Sequence, residues 1–168
     1  MRPLIILITL ILASCGNRTD TANTVDTVSI QKKFVDTITN IHSDELIGNS
    51  AIVWQIGLEN KTKKKNPNFK KDHLNIDSII KGLNEIFPNI KLERKNFSHD
   101  TLYTEIKDSY YLCESMGTSG ATFYLSKTVI NLTSVKDVRF VKIDFAEGSH
   151  ASPGIWNKED FNDYKEIK

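Results

Sequence analysis

Only two cysteines, four prolines and four histidines occur in this 168-residue chain. His42, His73, His99 and His150 share no ligand spacing, so a bound metal is not expected. A weak cation contact of His150 with Glu147 and Asp144 is the most that the pattern allows. No glycine-rich phosphate loop or dinucleotide fingerprint occurs, and no cofactor is expected. No apolar run reaches the roughly 20 residues that a bilayer-spanning helix needs. Charge of one sign is missing too: 22 basic residues face 21 acidic ones. A near-neutral domain lacks the phosphate-neutralising excess on which general nucleic-acid binding depends.

The longest apolar run, residues 4–12, follows Arg2 and is broken only by Thr9. It has the size and order of a signal-peptide core. It leads into Leu12, Ala13, Ser14, Cys15 and Gly16, which resemble, position by position, the bacterial lipoprotein signal. That resemblance implies cleavage before Cys15 and a diacylglyceryl group on its thiol. Residues 1–14 are then a lipoprotein signal peptide. The same resemblance implies a mature protein anchored to a membrane through Cys15, in the bacterial cell envelope outside the cytoplasm. Losing Arg2 would also leave 21 basic and 21 acidic residues. With Cys15 lipidated, Cys113 has no partner and no disulfide is expected. Its neighbours Tyr110, Tyr111 and Leu112 point to a buried thiol.

Residues 16–28 are rich in Thr, Asn and Asp and read as a disordered tether with a reach of about 20 Å. Residues 29–168 are expected to form a single α+β domain. In 29–47, Ile30, Phe34, Val35, Ile38 and Ile41 fall on one helical face. Residues 51–58 alternate as a half-buried strand does, with Ile52, Trp54, Ile56 and Leu58 on one side. Six lysines crowd residues 60–71. Like charges in a block repel and resist folding, so this stretch reads as a mobile, solvated loop. The alternative is a basic finger on an anionic surface, where each lysine contributes about 1 kcal/mol.

A continuous apolar stripe, Ile76, Ile79, Ile80, Leu83, Ile86 and Phe87, predicts a helix capped by Asn75 and stopped by Pro88. Residues 90–97 and 101–107 read as a hairpin turning at Ser98, His99 and Asp100. A second helical stripe follows at Ala121, Tyr124, Leu125, Thr128, Val129 and Leu132, with Thr118 or Ser119 as its cap. Residues 138–145 carry apolar groups on both faces, as an interior strand does. Trp156 and Phe161 return to the core, and 164–168 form a frayed end. The order predicts a mixed or antiparallel sheet of about four strands with helices packed on one face.

Within 129–148, Leu132, Thr133, Val135, Val138, Arg139, Phe140, Val141 and Gly148 resemble the GerMN family, an α+β module of bacterial envelope proteins. The preceding helix, hairpin and helix follow the same order, while Lys136 and Asp137 stand where that family usually turns on glycine. The resemblance implies an envelope binding or assembly module without catalytic residues.

Two loops flank the second helix and the strand after it. Met116, Gly117, Thr118, Ser119 and Gly120 precede the helix; Glu147, His150, Ser152 and Trp156 follow the strand. If both loops lie at one end of this unit they form a shared rim for an envelope protein or a glycan. His150 would then supply a hydrogen bond and Trp156 a stacking face. The same residues allow a small hydrolase, with His150 as general base, Cys113 or Ser119 as nucleophile and Asp144 orienting the imidazole. Against it, no Gly-x-Ser-x-Gly elbow is present, and the apolar setting of Cys113 raises a thiol pKa. An inhibitor or immunity-like protein that caps a partner would leave the same trace. The simplest reading of the four glycines at 117, 120, 148 and 154 is that they only enable turns.

Overall fold

The computed structural model describes residues 50–168. The expected signal segment, Cys15, the expected tether and the helix expected in 29–47 lie outside the described residues. The rest is α+β, as expected: two mixed sheets, of three and four strands, with helices packed against them.

The larger sheet has the order β3-β4-β5-β6 and comprises β3 (Leu92–Ser98), β4 (Thr101–Ile106), β5 (Phe140–Asp144) and β6 (Gly154–Asn157). β3 and β4 form the predicted hairpin. His99 takes a left-handed φ of 57° at its turn, a conformation that a short polar side chain tolerates. Within this hairpin the register slips between Arg94 and Asn96, so Lys95 is the extra residue of a β-bulge. β4 and β5 run parallel, which demands a crossover between them. The carbonyl of Asp100 accepts the amides of Arg139 and Phe140 and so fixes where β5 begins. β5 lies between β4 and β6, the interior position that its two apolar faces predict.

The second sheet was not foreseen. Its order is β1-β2-β7, built from β1 (Trp54–Gly57), β2 (Thr62–Lys65) and β7 (Lys165–Ile167). The lysine-rich stretch is therefore not a mobile loop: its middle forms a central strand, antiparallel to β1 and parallel to β7. Like-charge repulsion is relieved by neighbours far away in sequence. The Lys63 ammonium lies 6.0 Å from the Trp54 ring, Lys61 pairs with Asp163, and Glu166 stands opposite Lys63. For the same reason the C-terminal residues are a strand rather than a frayed end.

Helix α1 (Ile76–Ile86) begins as predicted, with the Asn75 side chain accepting the Ser78 amide at 2.8 Å, and it ends just before Pro88. Asn84 binds both the amide and the carbonyl of Leu92, at 2.8 and 3.0 Å, tying α1 to β3. Helix α2 (Gly117–Leu132) is the crossover between β4 and β5. It is buried on nearly all sides rather than along one stripe, because it touches β1 of one sheet and β5 and β6 of the other. Asn131 ties it to β1 as another strand would. Its oxygen accepts the Val53 and Trp54 amides at 2.9 and 2.8 Å, and its nitrogen donates to the Trp54 and Lys127 carbonyls.

Candidate functional site

The two loops singled out in the sequence meet. Before α2 the chain makes one turn of π-helix, Tyr111–Ser115, and Gly117 at φ 69° separates that turn from the helix proper. This start overrides the expected cap: neither Thr118 nor Ser119 caps α2, whose N-cap position is Met116 without a side-chain bond. π-helical turns are rare and recur at functional sites. Residues 146–153, the loop between β5 and β6, lie directly on this turn.

The contacts between them are specific. The Ser109 hydroxyl donates to the Ala146 carbonyl at 2.8 Å. The Cys113 carbonyl accepts the His150 amide at 3.0 Å. Both oxygens of Glu114 are used by Ser149: its amide donates at 3.0 Å and its hydroxyl at 2.8 Å. Those two bonds hold the Glu114 carboxyl below the usual glutamate range. Gly148 fits because it lacks a side chain; a Cβ there would approach Cys113 Cβ to 2.6 Å and collide with the Glu114 carboxylate. Thr118 Oγ1 lies 3.2 Å from His150 Nδ1, joining the start of α2 to the loop.

Thr118 and Ser119 are exposed, Gly117 and His150 are half-buried, and Met116 and Gly120 are buried. Glu147 and Ser152 are exposed and bonded to each other at 2.5 Å. Trp156, on β6, is half-buried and lies over Gly154. The expected rim is thus assembled from its two loops, with Met116 and Gly120 as its supports rather than its surface. Sequence reading missed Ser109, Glu114 and Ser149, which clamp it. Each is a common polar residue whose partner is more than 30 positions away, so no local signal marks it.

The nucleophile arrangement looks different. Cys113 is buried and free. Its thiol donates to the carbonyls of Ala146 and Ala151 at 3.4 and 3.7 Å, and burial pushes its pKa up, both of which favour the unreactive thiol. The His150 ring is engaged by Thr118, not Ser119, while Asp144 pairs with Lys142 at 3.0 Å. Among the described residues no three His, Cys, Asp or Glu side chains gather to hold a metal ion, and no helix is long and apolar enough to cross a membrane.

Comparisons with known protein families, with curated proteins and with solved structures find no match for this chain.

Proposed function

We propose that this is a lipid-anchored envelope protein that works as a binding or assembly module, with the rim formed by residues 115–120 and 147–156 as its contact surface. The observation that carries this reading is the clamp of the 146–153 loop onto the π-turn through Glu114, Ser149, His150 and Thr118. A loop held by this many specific bonds presents its outward side chains in one fixed arrangement, which lowers the entropy lost on binding. Ser119, Glu147 and Ser152 then offer hydroxyl and carboxylate groups suited to a glycan or the backbone of a partner protein. Tyr110, 69% exposed where the π-turn opens, adds an aromatic face. The lipobox-like residues around Cys15 and the GerMN-like pattern in 129–148 are the sequence features that support an envelope location.

In-cell photo-crosslinking from positions 119 and 152 tests this, with position 65 on the exposed end of β2 as control. One discrete adduct from 119 and 152, absent from 65, supports the reading and supplies the partner. Equal labelling from all three positions, or none, removes the rim as a contact surface.

A further inference from the structure

Two to three turns along α2 from the rim, Tyr124, Lys127 and Thr128 occupy positions i, i+3 and i+4, which places them on one face of the helix. All three are fully buried. The Tyr124 hydroxyl, the Lys127 amine nitrogen and the Thr128 hydroxyl find no hydrogen-bond partner among the described residues. The two hydroxyls are neighbours on this face. Around them the setting is aromatic. Lys127 Nζ lies 5.5 Å from the Phe123 ring and 6.0 Å from the Phe87 ring, and Phe87 meets Tyr124 edge-on at 5.0 Å.

Buried polar groups in folded proteins are nearly always hydrogen-bonded, so three orphans on one helical face call for an explanation. The set is rich in donors: an amine and two hydroxyls, with no carboxylate and no free carbonyl among them. It complements a group that only accepts. One amine balances one negative charge, and two hydroxyls add bonds to its oxygens. The rings of Phe87 and Phe123 suit an apolar body behind that charge.

We propose that Tyr124, Lys127 and Thr128 form an internal site for the carboxylate of an apolar monocarboxylic acid, with Phe87 and Phe123 lining its hydrocarbon part. The ammonium pairs with the carboxylate and the hydroxyls complete its hydrogen bonds. This site is separate from the rim and stands or falls without it.

The test is calorimetric titration of the full chain with sodium decanoate below its micelle concentration. It is combined with carbon NMR of 13C-labelled lysine side chains, in which the Lys127 resonance is the one missing from Lys127→Met. Decanoate should bind, and at pH 8 it should shift the Lys127 resonance from the neutral to the charged form. Affinity should fall roughly tenfold or more in Lys127→Met, the loss expected for a charge-assisted hydrogen bond, and less in Tyr124→Phe and Thr128→Val. Those variants keep the shape of the face, and their circular dichroism shows whether they fold. Undiminished binding to Lys127→Met, or no binding to the parent, overturns the proposal. So does a Lys127 resonance already in the charged form without decanoate, since the amine would then be paired with a carboxylate of the chain itself.

Discussion

The mouth and the middle of helix α2 treat polar side chains in opposite ways. At its mouth, Glu114, Thr118, Ser149 and His150 are exposed or half-buried, and each is hydrogen-bonded. Farther along, Tyr124, Lys127 and Thr128 are wholly buried, and none is bonded among the described residues. Asn131, one turn on from Lys127, is as buried as they are but is satisfied by the Val53 and Trp54 amides and the Trp54 and Lys127 carbonyls. Burial is therefore not what separates them. The rim and Asn131 face backbone or side chains that complement them, whereas the trio faces aromatic rings. Groups at the rim can exchange a lost partner for water; groups in the middle of the helix cannot.

That difference orders the expected effects of substitution. The largest is at Lys127. Desolvation lowers its pKa to about 7, so above that pH the folded, ligand-free protein holds a mostly neutral amine where the unfolded chain holds a charged one. The unfolded state binds the extra proton between about pH 7 and 10.5, so stability rises with pH across that window and is at its lowest below it. Lys127→Met should raise the unfolding free energy at pH 7 by roughly 3–5 kcal/mol and flatten its rise towards pH 9. Urea unfolding of parent and variant at the two pH values measures both.

Asn131→Ala should act in the opposite direction. It strips the Val53 and Trp54 amides and the Trp54 carbonyl of their partner, and a loss of about 3 kcal/mol in the same urea experiment is expected. If Asn131→Ala and Lys127→Met were both neutral, the contrast between satisfied and orphaned groups would be broken.

Effects at the rim are smaller and local. Gly148→Ala forces a methyl group against Cys113 and Glu114, and a destabilisation of about 1–2 kcal/mol is expected, accompanied by faster hydrogen exchange across 146–153. Glu114→Gln should be the mildest, leaving global unfolding unchanged while the Ser149 amide exchanges faster. In the parent, the Glu114–Ser149 contact is at full strength above the usual glutamate range. It is lost as pH falls through the lower pKa of Glu114, so Ser149 exchange corrected for intrinsic rate should quicken only in acid. A Glu114→Gln variant that unfolded the whole domain would erase the distinction between rim and core.

The same contrast governs what could be read in advance. α1, with its stripe from Ile76 to Phe87, its Asn75 cap and its Pro88 stop, is written in neighbouring residues and was legible. So were the β3–β4 hairpin with His99 at its turn, the interior place of β5 and the burial of Cys113. β2 was not. Lysines disfavour an isolated strand, and only β1, β7 and Trp54 make one of them. α2 showed its stripe but not its full burial, because Phe123, Ser126, Lys127 and Ile130 are covered by elements that no periodicity announces. Of the candidate site, the loops were visible through their glycines and His150. Their clamp through Ser109, Glu114 and Ser149 was not.

By itself, then, the sequence determined the α+β class, the positions of α1, α2, β3, β4 and β5, and the two loops beside α2. Those features rest on local propensity and on periodicities of two and 3.6 residues, which neighbouring side chains carry. The tertiary structure alone decided the second sheet, the enclosure of α2, the meeting of the loops and the orphaned face at Tyr124, Lys127 and Thr128. Each of these depends on pairing or desolvation by residues distant in the chain. Whether a lysine is a solvated charge, as in the middle of β2, or a buried amine, as at position 127, is set by what packs against it.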